Sequence, residues 1–541
     1  MSPRLSSAVR VIALLGVSLV AGCGRRQTLV EQSNRTQTLL LGNGAEPADL
    51  DPPVVTAYTD MNIVNALFEG LTFIDERTTE AVPAAAERWE VSPDGLTWTF
   101  HLRANAAWSN GDPLVADDFV QSFRRTVSPA LALENASYLF PLKNAEAINA
   151  GRIKDLAELG CAAPDSHTLV LTLERPTPHL PLLTALTPWY PIDPRVLARF
   201  GAMTRRGTAW TRPGNLVGNG PFVLTSWDPN ARIVVEKNAR YWNAAATTLR
   251  QIEFFPIESP EVEEQAFRAG QLHVTYSLPA AKVATWRKND PSRLRVDPFL
   301  QTTFIEFNTK RAPFDDPRVR RAFALAIDRD AIARTALGGS RPPAYSATPP
   351  GTGGYTAQAR VDENIAEARR LLAAAGHAGG AGIGRLTLQV RNDELQPTAA
   401  EALQAMWQKA LGVRIEINPV EQKIWLQNQR TLNYALSTFS WIGDYPDPLT
   451  FLGLFTSTNG NNWTGWSDPR YDGLIDRASV MNERAPRLAL YQQAEAMLLD
   501  ASPVTPLFHG AQTYLIDPAV KKWAPALLGS RRYQLVHLGT D

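Results

Sequence analysis

The sequence predicts a mixed α/β protein of two or three domains. Three observations carry this. The chain has 541 residues, more than one hydrophobic core usually organises. Apolar and polar residues alternate over 96–103, directly after the turn Ser92-Pro93-Asp94-Gly95, which reads as a β-hairpin over 89–103. A strand at 386–390, a helix at 398–411 and a strand at 413–417 follow one another and make a β-α-β unit. Hydrophobic content of 44% and charge of 20% fit a globular protein.

In chain order, residues 1–22 read as a targeting segment. Arg4 and Arg10 start it, and 11–21 is an apolar run too short for a spanning helix. It ends in Leu19-Val20-Ala21-Gly22-Cys23, which resembles the lipobox of bacterial lipoproteins, with cleavage before Cys23 and a lipid on its thiol. Residues 1–22 hold two arginines and no acid, so the remainder carries a net charge of −2. The only other cysteine is Cys161. It has no partner for an internal disulfide and reads as a small buried residue.

Residues 24–37 are polar and read as a tether. A first strand is expected at 38–41, a turn at 46–52 and a short helix at 62–71. A helix opens at 116 and runs through 125, with acids at its positive end. A strand follows at 168–173. The proline-rich stretch 176–194 reads as a crossover between domains. A tight turn at 216–222 leads to strands at 233–236 and 252–256. A helix at 261–270, a strand at 304–308 and a long helix within 316–337 come next. A helix at 364–375 is ended by Gly376, and 377–384 is a glycine-rich loop. The last long helix is expected at 487–499.

The stretch that stands out is Trp441-Ile442-Gly443-Asp444-Tyr445-Pro446-Asp447-Pro448. An alternating strand over 434–440 leads into it, and Gly443 and Pro446 break that strand. Asp444 is left at the strand end between Trp441 and Tyr445. A carboxylate between aromatic faces is a clamp for an ammonium group. The alternative is a turn whose Asp caps backbone amides.

Nothing asks for catalysis, a metal or a cofactor. The seven histidines are scattered, without a His-Glu-x-x-His pattern or a Cys/His cluster. There is no Gly-x-Ser-x-Gly elbow and no phosphate-binding loop. Asp117-Asp118 and Asp315-Asp316 sit at helix starts, where the helix dipole accounts for them. No basic stripe or nucleic-acid motif is present.

Several phrases recur in a fixed order. They are Leu50-Asp51-Pro52, Leu67-Phe68-Glu69-Gly70-Leu71, Trp108-Ser109-Asn110-Gly111-Asp112-Pro113, Asn219-Gly220-Pro221-Phe222 and Pro313-Phe314-Asp315-Asp316-Pro317-Arg318. The Asp444 stretch follows. This ordered set, spanning nearly the whole chain beyond the targeting segment, resembles the oligopeptide-binding (OppA-like) branch of the family 5 solute-binding proteins of ABC importers.

The resemblance implies a type II periplasmic-binding-protein fold with three lobes and a hinged ligand cleft. Lobe I would hold residues 38–69, 195–299 and 512–541, lobe II 70–194, and lobe III 300–511, after a signal peptide at 1–22 and a tether at 23–37. It implies a monomer, not an enzyme, that captures peptides and passes them to an ABC permease. The protein would sit in the cell envelope on the periplasmic side, held only by its lipid, at the outer membrane in a Gram-negative host because Gly24 follows Cys23.

Peptides in the family lie extended and pair with backbone like an added strand, along Ser440, Trp441, Ile442 and Gly443 here. Asp444 matches the acid that holds the peptide amino terminus. Relatives often carry a carboxylate-binding arginine where this chain has Thr438. A pocket tryptophan falls on Gln422 and a pocket tyrosine on Asn135. Amino-terminal capture is thus expected, and carboxylate capture is lost or moved. The alternatives are a modified solute such as a cell-wall peptide, or an envelope enzyme or receptor on the same fold.

Overall fold

The computed structural model describes residues 27–393 and 395–539. The targeting segment and Cys23 lie outside them. Among the described residues no helix is long and apolar enough to cross a membrane.

The first described element is a helix, Leu29–Thr36, within the stretch expected to be a tether. Thr28 and Glu31 form a reciprocal capping box, and the Val30 amide donates to the Gly270 carbonyl at 2.9 Å. Two satisfied helix-end donors and a buried Val30 offset the polar composition.

Strand β1 (Thr38–Gly42) follows. The helix expected at 62–71 lies at Tyr58–Leu67. It stops before Phe68 because the chain must enter a tight space: a Cβ on Gly70 would lie 2.3 Å from the Thr184 carbonyl oxygen. The next strands are β2 (Thr72–Ile74), β3 (Ala81–Pro83), β4 (Ala86–Val91), β5 (Thr97–Leu102), β6 (Cys161–Asp165) and β7 (Thr168–Thr172). The last four form an antiparallel sheet in the order β4-β5-β7-β6. This sheet and the helix Ala116–Val127 make lobe II. The 176–194 stretch is not a free crossover. It folds into the short helices Leu180–Leu183 and Thr187–Trp189, whose Leu180 and Trp189 are fully buried.

Strands β8 (Phe222–Asp228), β9 (Arg232–Lys237) and β10 (Gln251–Phe255) join β1 in the order β1-β10-β9-β8, the sheet of lobe I. Lobe III holds a mixed five-stranded sheet, β13-β12-β14-β11-β15. It is built from β11 (Leu294–Phe307), β12 (Arg385–Arg391), β13 (Arg414–Val420), β14 (Leu436–Ile442) and β15 (Val504–Leu515). β12 and β13 pair in parallel across the helix Gln396–Leu411, which is the β-α-β unit. The helix expected within 316–337 breaks after Leu325. The Asp328 carboxylate accepts from the Ala331 amide and starts a new turn, a local cap that competes with helix continuation.

β11 is far longer than the 304–308 expected, and β15 was not expected. Together they form an antiparallel ribbon that joins lobes I and III. Register slips between Phe299 and Thr302, and at that bulge a Cβ on Gly510 would lie 2.6 Å from Gln301 Cβ. A bulge bends a ribbon locally.

One hydrophobic cluster runs through lobes I and II, from Leu39 and Ile252 to Phe100, Phe119 and Leu171. Tyr514, Ile516, Trp523 and Tyr533 from the end of the chain belong to it. Lobe III has separate clusters, one around Phe323 and Trp407 and one around Phe439, Trp463 and Tyr491. Cys161 is buried and free, as expected.

Candidate ligand cleft

The Asp444 carboxylate stands where three lobes meet. β14 brings it there. Residues Leu436 to Phe439 are buried, and exposure rises through Ser440 and Trp441 to Ile442. β14 pairs with β11 along its whole length, from Phe307↔Leu436 to Gln301↔Ile442. It pairs with β12 only at Leu436 and Ser437. Among the described residues, β14 therefore has no strand on that side beyond Thr438. The Gly443 amide donates to the Leu300 carbonyl at 2.7 Å. A Cβ there would lie 2.7 Å from Leu300 Cδ2 and 2.8 Å from Thr450 Cγ2, so the approach needs glycine. The Asp444 amide is capped by Thr450 Oγ1 at 3.0 Å.

The carboxylate itself does not cap this turn. It accepts from the Tyr138 hydroxyl of lobe II at 2.9 Å. Tyr58 of lobe I lies close enough that, after burial, the charge of Asp444 helps keep its phenol protonated. Asp444 is exposed by surface area, yet the walls around it displace enough water to raise its pKa above 3.8, and the Tyr138 bond partly opposes that.

The aromatic flanks differ from those expected. Trp441 turns into lobe III and packs on Phe439, ring centroids 6.2 Å apart. Tyr445 stacks on His179 of lobe II at 4.7 Å and 9°. Burial holds that imidazole neutral, its pKa lowered to about 4. Below the stack, Asp447 and Arg487 form a buried ion pair at 2.8 Å. The aromatic groups at Asp444 are thus Tyr138 and Tyr58, which sequence reasoning did not name.

The remaining expected residues separate. Ser440 bonds Thr303 across the β14–β11 pair at 2.8 Å. Thr438 is 1% exposed. Its hydroxyl donates to Gln396 and its carbonyl accepts from Trp425 Nε1. Gln422 is exposed at the first turn of the helix Gln422–Arg430. Asn135 does not face the cleft: it donates to the Val55 carbonyl at 2.8 Å. Tyr138, one turn further along the 3-10 helix Glu134–Leu139, is the residue that reaches in. Its only sequence signal was an aromatic ring in the polar run Glu134-Asn135-Ala136-Ser137-Tyr138.

A cavity of about 430 Å³ lies between lobes I and III, within the usual range for small ligands. Tyr58, Tyr276, Phe299, Trp523 and Tyr533 give it an aromatic wall, and Ile442 reaches it from β14. Among the described residues no group of His, Cys, Asp and Glu is arranged to hold a metal ion.

Comparison with known proteins explains this architecture. The family described as bacterial extracellular solute-binding proteins, family 5 Middle, matches residues 80–463. The chain belongs to that family. It is 35% identical over 492 residues to the probable deoxycholate-binding periplasmic protein YgiS of Escherichia coli, covering 90% of each. It is 34% identical over 497 residues to the periplasmic oligopeptide-binding protein OppA of Salmonella typhimurium, covering 90% of this chain and 89% of that one.

Among solved structures it is similar to an unliganded open form of the periplasmic murein tripeptide binding protein MppA. The TM-score is 0.85 at 33% identity, over 93% of this chain and 97% of that one. A second structure, of Escherichia coli MppA, aligns over 93% and 99% at the same identity but with a TM-score of 0.72. At equal identity and equal coverage of this chain, it superposes better on the unliganded open form than on the second structure.

Proposed function

We propose that this family 5 protein captures oligopeptides in the interlobe cleft and delivers them to an ABC import permease. The observation that carries it is the conjunction at β14. A strand edge free beyond Thr438 is available to an extended backbone, and it ends in an acid placed for an ammonium group. Asp444 holds the peptide amino terminus, and Tyr138 and Tyr58 shield that contact from bulk water. The free edge along Ser440–Ile442 adds the peptide as a strand. Closure about the β11–β15 bulge then buries the ligand. The likeness to MppA favours a cell-wall peptide as the second reading. Binding requires no chemistry on the ligand, so we read the protein as a carrier rather than an enzyme.

The location is extracytoplasmic, as in the periplasmic relatives. We further read Cys23 as the lipidated residue of a monomer anchored at the periplasmic face, at the outer membrane in a Gram-negative host. Cys23→Ser should abolish palmitate incorporation; equal labelling of both proteins would refute the anchor. The carrier reading is tested by mass spectrometry of small molecules that co-purify with the protein, followed by small-angle scattering with the recovered ligand. Peptides should be recovered, and they should reduce the radius of gyration. Recovery of non-peptide solutes alone, or an unchanged profile at saturation, would overturn it.

A further inference from the structure

The interlobe cavity has one electrostatic peculiarity. Two charged side chains line it, and both are arginines, Arg341 and Arg531. Arg341 belongs to the loop before lobe III's sheet edge and donates to the Ser340 carbonyl at 2.8 Å. Arg531 comes from lobe I and is 7% exposed. Its guanidinium lies 3.9 Å over the Trp523 ring, and Nη1 donates to the Ala524 carbonyl. Among the described residues no carboxylate stands within ion-pair distance of it. Asp297, joined to the same cluster through the Tyr514 hydroxyl, is already taken by Arg295 at 2.8 Å. A buried cation with one carbonyl partner is an unusual expense in a folded protein, and a guanidinium presents a fork shaped for a carboxylate.

The side chain is also held in place. Ser530 accepts from Asn65 at 3.3 Å. Arg532 is locked to Asp75 and to Glu76, the latter at 2.7 Å. Trp523, under the guanidinium, donates to the Tyr514 hydroxyl at 2.9 Å. Arg531 is therefore preorganised, and binding an anion there orders little that is not already ordered.

The cavity continues to Asp444. Ile442, two residues before that acid, lines it, and so does Tyr58, whose phenol feels the Asp444 charge. The cleft thus brings together an acid on lobe III and, besides Arg341, a buried cation on lobe I. That is the polarity of an extended zwitterion. Thr438, buried and bonded to Gln396, is in no position to supply the positive end.

We infer that Arg531 is the specificity-determining residue that receives the carboxylate of the ligand. The inference rests on the peptide reading above. It gives the ligand a direction, amino end on lobe III and carboxyl end on lobe I, so that one molecule ties the two moving lobes together.

The test is a competition. The affinity-immobilised protein is offered an equimolar tripeptide library in three forms: free, C-terminally amidated and N-acetylated. Bound species are counted by mass spectrometry. Wild type should retain free acids over amides at least tenfold, as a charge-assisted bond allows. Arg531→Gln should bring that ratio within twofold and leave the preference for free over acetylated peptides intact, which also shows that the variant is folded. Should Arg531→Gln fail to fold, Arg531→Lys decides: an acid preference reduced severalfold supports the assignment, and an unchanged one overturns it. Full acid preference in Arg531→Gln overturns it while leaving the peptide reading standing. So does a wild type that selects free amino groups but ignores amidation. Retention of no peptide in any form overturns both.

Discussion

Replacing Asp444 by Ala removes the acid from the meeting point of the lobes. Stranding one partner of a buried charged pair costs about 3–5 kcal/mol. Asp444 is exposed in the unliganded cleft, so solvent screening brings the loss below that range, to about 1.5–3 kcal/mol or about one to two orders of magnitude in affinity. The pH dependence gives a sharper check. Burial raises the Asp444 pKa above 3.8, and the Tyr138 bond pulls it back. An α-ammonium pairs with the ionised carboxylate, and below pH 7 the ligand's own amine is already charged. As pH falls through the raised pKa of the free protein, the protonated, non-binding form accumulates, and affinity should drop about tenfold per pH unit. Tyr138→Phe removes the opposing bond, so its drop should begin at a higher pH. Asp444→Ala should show no drop. Calorimetric titration of a recovered peptide from pH 7 to pH 4 measures all three proteins. Wild-type affinity in Asp444→Ala, or the same pH-dependent drop in it, would refute the reasoning.

Three further outcomes follow from buried groups. Glu306 is fully buried on β11 against Gln429, and burial raises its pKa to about 8. The folded state therefore binds more protons than the unfolded one between about pH 4.5 and 8, and stability should fall as pH rises through that window. Glu306→Gln should remove up to about 4 kcal/mol of the difference between pH 5 and pH 8 in urea unfolding; an identical slope would show that Glu306 is ionised in the fold. Asp447→Ala leaves Arg487 buried without its acid and should lower unfolding free energy by about 3 kcal/mol or more, read as a shift of the denaturation midpoint. The Cys161 thiol, pushed up to about 12 by burial, should resist iodoacetamide in the native protein and react after unfolding, as peptide mapping would show.

What was legible in the chain was local. The hairpin around Asp94-Gly95, the β-α-β unit and the helix from Ala116 show their period and their turn residues within a dozen positions. Asp444 at a broken strand end was legible for the same reason. Its surroundings were not, because Tyr138 lies 306 residues away and nothing local records that approach. Trp441 and Tyr445 were adjacent in sequence but part in space, since one is drawn into the lobe III core and the other onto His179. Asn135 and Tyr138 are one 3-10 turn apart, and only the structure shows which of the two bonds Asp444. The helix at 29–36 had a visible signal, Thr28-x-x-Glu31, which the polar composition around it obscured.

The shared hydrophobic cluster has a consequence for how the molecule is made. Lobes I and II are joined in one core that needs Tyr514, Trp523, Tyr533 and Leu538, and so cannot be completed until the last residues leave the ribosome. The stretch from β11 to β15 closes its own two clusters without them. Interior chain can therefore become native while the older N-terminal half is still waiting for its final strands. The order in which the cores can be completed then runs against the order of synthesis.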